Sequence, residues 1–140
     1  MLHGSETWEP KADDLQRLRR NDCAVIRWIC GTKVQDELPS DSLLQKLGIK
    51  DILAVLRSGR LRWYGHVQRA TSCIKSITDL PLPGPRRPGR PRKTWSECIK
   101  NDIRDCGLAH TDPLDRDSWR AGVRHSLVLP TPLNGKRTAP

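Results

Sequence analysis

The chain of 140 residues has few of the large apolar side chains from which cores are usually built. Phenylalanine is absent, and methionine and tyrosine occur once each, so leucine, isoleucine, valine and five tryptophans must supply most of the buried surface. Apolar residues make up 36% of the sequence, which supports one small core and leaves a second independent core hard to fill.

Long apolar runs are missing as well. A membrane-spanning helix needs about 18 or more consecutive apolar residues, and the sequence contains no such run. Residues 1–10 also lack the apolar core of a secretory signal. We therefore expect a soluble, intracellular protein without a membrane partner.

Motifs for independent catalysis are absent. The sequence has no glycine-rich phosphate loop ending in lysine, no dinucleotide-binding fingerprint and no Ser-His-Asp order. Its five cysteines are an odd number without the dense spacing of a secreted disulfide scaffold, so we expect reduced thiols. We predict no enzyme activity, no cofactor, no metal and no small-molecule substrate.

A zinc site is the alternative use of some of these cysteines. Cys98, Cys106, His110 and Cys73 offer ligand chemistry, but no C-x-x-C or similarly tight pair is present. Cys98 and Cys106 also fit the apolar face of a helix, where cysteine behaves as a small hydrophobic residue.

Positive charge is what the sequence has in excess. Lysine and arginine number 25 against 16 aspartates and glutamates, which gives a formal net charge of +9. A balance of this sign favours polyanionic partners, and RNA or DNA comes first among them.

Apolar residues recur at helical spacing in five segments, most of which have a recognisable start and stop. The predicted helices run from Asp13 to Cys30, from a Ser40 cap to Gly48, from Lys50 to Arg69, from a capping box of Thr94 and Glu97 to Gly107, and from Asp112 through Val123.

These helices predict a mainly α fold of two small helical lobes. The N-terminal lobe covers residues 1–80, and the C-terminal lobe covers residues 94–128. An extended Pro/Gly/Arg-rich basic linker at 81–93 joins them, because repeated proline excludes both a helix and a central strand there. Residues 129–140 are expected to form a disordered tail.

The linker carries the clearest functional signal. Its basic segment, residues 86–93, holds Arg86, Arg87, Arg90, Arg92 and Lys93 on an extended backbone that can follow phosphates or lie in a narrow minor groove. Gly89-Arg90-Pro91 is similar to the core of an AT-hook, although Pro88 stands where the hook has arginine. A nuclear-import signal and a solvated linker without a partner are the alternatives.

A second group of candidates lies on the third predicted helix. Tyr64, next to the cations Arg60 and Arg62, could stack on unpaired bases, whereas Trp63 is expected to anchor the core. The two rings cannot share one buried position, because successive helix residues point about 100° apart. The predicted nucleic-acid site therefore consists of Arg86, Arg87, Gly89, Arg90, Arg92, Lys93, Arg60, Arg62 and Tyr64.

Four short motifs occur along the chain: GSETW at 4–8, RLRWYGHV at 60–67, RPGRPRKTW at 87–95 and DRDSWR at 115–120. In this order and spacing the sequence resembles, over residues 4–124, the C-terminal region of LINE-like non-LTR retrotransposon reverse transcriptases, downstream of the polymerase domain. The resemblance implies a nuclear, nucleic-acid-binding fragment that handles template RNA or target DNA. It also implies the upstream reverse transcriptase domain as a further partner.

The catalytic aspartates of that family follow an aromatic residue and an alanine in a β-hairpin, where they serve two-metal nucleotidyl transfer. Here Lys11-Ala12-Asp13-Asp14 has lysine in place of the aromatic residue, and a cationic helix follows. We therefore assign Asp13 and Asp14 to the start of that helix, near the positive end of its dipole. Two alternatives to a nucleic-acid-binding function stay open: a structural module that packs on the polymerase domain, and a non-functional retroelement remnant.

Overall fold

The computed structural model describes residues 2–36, 38–70, 73–78, 80, 89 and 93–127. Within these residues the chain is helical and has no strand, which confirms the prediction of a mainly α fold. The helices are α1 (Ala12–Ile29), α2 (Ser40–Leu47), α3 (Ile52–Arg69), α4 (Cys73–Thr78), α5 (Trp95–Asp105) and α6 (Arg116–Ser126), with short 3-10 helices at Ser5–Thr7 and Val34–Asp36. None of the described helices has the combination of length and apolar character that crossing a bilayer requires.

Local side-chain chemistry explains the best-predicted helix ends. The Thr94 hydroxyl accepts a hydrogen bond from the Glu97 backbone N–H at 3.3 Å, and the Glu97 carboxylate accepts one from the Thr94 N–H at 3.1 Å. The predicted capping box at the start of α5 is therefore confirmed. Gly48 and Gly107, with φ of 62° and 68°, follow α2 and α5 in the left-handed conformation that stops a helix.

Four predicted helix starts differ from the structure by one to several residues. The first helix begins at Ala12, one residue before the predicted Asp13. Ser40 is the first residue of α2 and does not cap it, because Pro39 occupies the cap position. The start of α3 moves from Lys50 to Ile52, because Asp51 caps it by accepting a hydrogen bond from the Leu53 N–H at 3.3 Å. These three observed starts lie within two residues of the predicted ones, a difference that is common at helix ends.

The start of α6 differs most from its prediction. Asp115 caps the helix by accepting hydrogen bonds from the N–H groups of Asp117 and Ser118, at 3.1 and 3.4 Å. Asp112, the predicted start, instead accepts a hydrogen bond from the Leu114 N–H at 2.8 Å and belongs to a separate turn. Three other elements, α4 and the 3-10 helices at Ser5–Thr7 and Val34–Asp36, are too short for a periodic pattern and were not predicted.

Among the described residues, buried apolar side chains form two clusters. One joins Ile26 of α1 to Leu43 and Leu44 of α2. The other joins Leu61 of α3 to residues that follow the basic linker, namely Leu108, Trp119 and Val123. Since α3 also contacts the first 3-10 helix, α1, α4 and α5, it is the central element of the fold. The two clusters are linked through α3, which contacts both α1 and α6. The predicted boundary at residues 81–93 lies almost entirely outside the described residues and stays a prediction.

Candidate nucleic-acid interface

The tryptophan of the DRDSWR motif packs on the backbone of the RLRWYGHV motif. Trp119 is 1% exposed, and its indole N–H donates a hydrogen bond to the Leu61 carbonyl at 2.9 Å. A Cβ atom built on Gly65 would lie 2.5 Å from Nε1 of Trp119, closer than real Cβ contacts allow. Gly65 thus leaves the space that the indole fills, and the two motifs form one packing unit.

The other two motifs join the same unit. Trp95, the last residue of the RPGRPRKTW motif, donates from its indole N–H to the carbonyl of Glu6 in the GSETW motif, at 2.9 Å. The ring of Tyr64 lies between the tryptophans, with ring-centroid distances of 6.3 Å to Trp95 and 5.9 Å to Trp119. All four motifs therefore meet on α3, and three of their aromatic rings serve to hold the fold together.

This arrangement changes the role predicted for Tyr64. Its half-buried ring packs against the cluster of Leu61 and Trp119, so it faces the interior and not a base-binding groove. Trp63 instead stacks on the exposed imidazole of His66, with ring centroids 5.3 Å apart and planes 29° from parallel. The stacking candidate on α3 is therefore Trp63, the ring expected in the core, and Tyr64 is removed from the interface.

Arg60 is also removed from the interface, because its side chain is buried. Its Nε and Nη2 donate to the two carboxylate oxygens of Asp102 in α5, at 2.8 and 3.0 Å, and Arg57 places its Nε 3.6 Å from the same carboxylate. Burial raises the pKa of Asp102, and the two guanidinium groups act to lower it. A guanidinium held in this way is not accessible to a phosphate.

Few of the cations on α3 are left for a ligand. Arg69 donates to the carbonyl of Pro113 at 2.6 Å, so it too is turned towards the segment before α6. Arg62 and His66 remain exposed, one helical turn apart and on either side of Trp63. The surface left on α3 is thus a small group of two basic residues and one half-buried indole.

The basic segment lies mostly outside the described residues, which is where Arg86, Arg87, Arg90 and Arg92 fall. Gly89 has a φ of 123°, a conformation that side-chain-bearing residues rarely adopt, and it is exposed. Lys93 is exposed and directly precedes the Thr94 cap of α5. The segment therefore ends beside a helix that Trp95 fastens to the fold.

Comparisons with known proteins give this chain no relatives. No protein-family model, curated protein or solved structure matches it. The function of the interface must therefore follow from its own residues.

Cysteines and acidic residues do not form a metal centre in the part of the chain that the structure describes. Cys98 is buried at 2% exposure on the inner side of α5. Cys106 is half-buried and packs against the cluster of Trp119, and burial raises the pKa of its thiol. Cys98 therefore has the environment of a small apolar side chain, whereas the Cys106 thiol also has Ser126 and Arg57 as polar neighbours.

One surface was not predicted from the sequence. The indole of Trp28 in α1 is 83% exposed, and Arg17 and Arg20 are exposed on the same helix. The sequence did contain a signal for this surface. Trp28 lies about 100° round the helix from Ile29, and therefore outside the stripe of apolar residues from Leu15 to Ile29. A large aromatic residue outside the stripe of an amphipathic helix is a candidate for contact with a ligand.

Proposed function

We propose that this chain is a non-catalytic, nucleic-acid-binding accessory region of a LINE-like reverse transcriptase, and that the basic segment at 86–93 is its principal binding element. The proposed role is to handle template RNA or target DNA for the polymerase domain of such an element, in the nucleus. The observation that carries the proposal is a contrast. Three arginines of α3 are directed at other parts of the fold, whereas Gly89 and Lys93, the described residues of the basic segment, are exposed.

The helices on either side of the linker both contact α3. α4, which precedes the linker, contacts α3, and α5, which follows it, contacts the same helix. We therefore propose an extended strap that starts and ends on one body, in place of a tether between two independent lobes. Closing a loop in this way limits the chain entropy that a nucleic acid would otherwise have to remove on binding. Residues 129–140 are proposed to be a disordered tail.

The expected mode of binding is electrostatic and tolerant of sequence. Guanidinium and ammonium groups on an extended backbone neutralise phosphates and release counterions, whatever the bases are. Trp63, with Arg62 and His66 beside it, is proposed as a small stacking surface for an unpaired base. Neither contact involves the packed rings of Tyr64, Trp95 and Trp119, so mutations should be able to change binding without changing the stability of the fold.

The decisive experiment compares the full chain with two variants that each replace five positive charges with glutamine. The test variant changes Arg86, Arg87, Arg90, Arg92 and Lys93. The control variant changes five exposed cations of α5 and α6, namely Lys100, Arg104, Arg116, Arg120 and Arg124. Fluorescence anisotropy then measures the affinity of each protein for labelled single-stranded RNA, single-stranded DNA and duplex DNA of about 20 nucleotides.

We expect the test variant to bind at least about tenfold more weakly than the parent at low salt, while the control variant loses much less. Equal losses in both variants would mean that the net charge of +9, and not a site, attracts the nucleic acid. Unchanged affinity of the test variant would make residues 86–93 a solvated linker and contradict the proposal.

A further inference from the structure

We infer that the outer side of α1 is a second nucleic-acid contact, at which Trp28 stacks on an unpaired base and an arginine-lined cleft beside it holds the adjoining phosphates. The inference rests on the proposed nucleic-acid function, but its residues lie far along the chain from the basic segment and are tested separately.

Trp28 is the first observation. At 83%, it is the most exposed of the large apolar side chains in the described part of the chain. The helix that carries it buries Ile26 at 3% against α2, so α1 is well anchored and the indole stands on a fixed support. An exposed ring on a rigid helix can stack on a base with little loss of conformational freedom.

The second observation is a cleft of about 570 Å³ between α1 and the start of α2. Arg19, Arg20 and Arg27 line it from α1, and Ser40 and Asp41 line it from α2. Its three guanidinium groups face one carboxylate, so the lining is positive. The cleft is open to solvent and has the size and charge to admit the phosphate of a nucleic-acid backbone.

The three arginines of the cleft differ in the partners that hold their guanidinium groups. Arg19 pairs with Asp41 at 3.1 Å, and Arg27 donates to the Leu38 carbonyl at 2.8 Å, so these two are held in place. Arg20 is exposed and donates only to the neutral amide of Gln16, at 3.3 Å, in the described contacts. Arg20 is therefore the guanidinium best able to turn towards a phosphate.

The cleft and the indole of Trp28 follow each other along the same helix. Arg17, Arg20, Ala24 and Trp28 follow one another at spacings of three and four, which places them on one side of α1. Ala24 is small and exposed, so no bulky side chain separates the indole from the cleft. A strand of nucleic acid could therefore lie along this side with a base on Trp28 and its phosphates towards Arg20 and Arg17.

The only carboxylate of α1 beyond its first turn is directed elsewhere. Asp22 is half-buried near Asp51 at the start of α3, and burial together with that neighbouring charge raises the pKa of Asp22. Helical phase puts Asp22 about 160° from Arg20 and about 120° from Trp28. The side with the indole and the arginines thus carries no negative charge from Gln16 to Trp28.

An apolar protein partner is the competing occupant, because Val25 and Ile29 are 49% and 56% exposed next to Trp28. Such a partner would use Val25, Trp28 and Ile29 but not Arg20 and Arg17, which precede Trp28 by about two and three turns of α1. Stacking uses only the face of the indole and leaves the arginines to phosphates. A base must be unpaired to offer its face, so the expected ligand is single-stranded.

The test uses the full chain, both with its native basic segment and with the five-glutamine replacement described above. Trp28→Ala should weaken binding of single-stranded oligo(dT) about 5- to 150-fold in both backgrounds and leave duplex binding unchanged. Trp28→Phe, which keeps an aromatic face, should retain most of the affinity. Arg20→Gln should lower the slope of log affinity against log salt by about 0.7 on single strands.

Matched controls are Leu114→Ala, which removes another exposed apolar side chain, and Arg120→Gln, which removes an exposed cation of α6. Neither should change binding, and thermal unfolding of the Trp28 variants should match the parent because the indole is exposed.

Three results would overturn the inference. If Trp28→Ala binds single strands like the parent in both backgrounds, the α1 contact does not exist, while the basic segment can still pass its own test. If Leu114→Ala loses as much affinity as Trp28→Ala, the effect is not specific to α1. If sedimentation shows a self-associated parent that Trp28→Ala dissociates without any change in binding, the face docks protein.

Discussion

At the scale of single residues, Gly65 of α3 and Trp119 of α6 pack closely against each other. A Cβ atom on Gly65 would lie 2.5 and 2.6 Å from Nε1 and Cδ1 of the indole. The indole cannot easily retreat, because it is 1% exposed and bonded to the Leu61 carbonyl. We predict that Gly65→Ala lowers the free energy of unfolding by about 1 to 3 kcal/mol through overpacking.

Gly59 in the same helix provides the control for this prediction. A Cβ atom there would meet only Cγ of Glu6, at an ordinary 3.9 Å. Gly59→Ala should therefore stabilise the protein by up to about 1 kcal/mol, the usual gain in helix propensity. Urea unfolding followed by tryptophan fluorescence measures both changes, and equal stability of the two variants would contradict the close packing of Trp119 on α3.

The buried pair of Arg60 and Asp102 gives a second prediction at this scale. Their side chains are 6% and 7% exposed, and Nη1 of Arg60 is buried without a hydrogen-bond partner in the described contacts. Asp102→Leu should cost about 3 to 5 kcal/mol, because it leaves the Arg60 guanidinium buried and uncompensated. Adding Arg60→Met should recover part of that loss, since an apolar pair of similar volume removes the buried charge.

A double-mutant cycle checks this account of the pair. The double variant should be more stable than Asp102→Leu alone, as measured by urea unfolding. If the two losses simply add, the pair contributes nothing through its contact, and the burial of Arg60 must have another cause. Arg57, 3.6 Å from the same carboxylate, stays unchanged in all variants.

At the scale of elements, the start of α6 shows that a local sequence pattern can indicate a helix without fixing its first residue. Asp112 and Asp115 lie three residues apart and either could cap a helix, and the sequence-based prediction placed the start at Asp112. Asp115 accepts two backbone hydrogen bonds, whereas Asp112 accepts one within a turn. We predict that Asp115→Ala lowers the melting temperature more than Asp112→Ala does; the reverse order would favour the start predicted from the sequence.

The same cap has a pH dependence of known sign. Hydrogen bonds from Ser118, and then from Asp117, hold the pKa of Asp115 below its ordinary value. A group whose pKa is lowered by folding stabilises the protein above its unfolded pKa, and this contribution is lost as the pH falls through the folded pKa. The difference in melting temperature between the parent and Asp115→Ala should therefore shrink in the acid range.

Whether the role of a residue could be predicted from the sequence depends on how far along the chain its contact partner lies. The capping box of α5 was predicted because Thr94 and Glu97 are three residues apart. Arg60 was misjudged because Asp102, which holds it inside, lies 42 residues further along the chain. The roles of Trp63 and Tyr64 were exchanged for the same reason, since Trp95 and Trp119 decide which ring faces inward.

At the scale of the whole molecule, the motifs and the charge have different tasks. The four motifs that carry the resemblance meet on α3, through GSETW, RLRWYGHV and the tryptophans at 95 and 119. Most of their conspicuous residues therefore pack in the interior of the fold. Exposed positive charges lie on the surface around that core, at Lys93, at Arg62, along α1 and on α5 and α6. A folded support with binding groups attached to its surface is what a nucleic-acid-handling accessory region requires.

The salt dependence of binding tests the central claim, the basic segment as principal binding element, most directly. If Arg86, Arg87, Arg90, Arg92 and Lys93 all neutralise phosphates, the slope of log affinity against log salt should contain a contribution of about −3.5 on single strands and about −4.5 on duplex. The account predicts that replacing the five with glutamine removes this contribution and leaves thermal unfolding unchanged. A glutamine variant that keeps the parent's slope and affinity would contradict it.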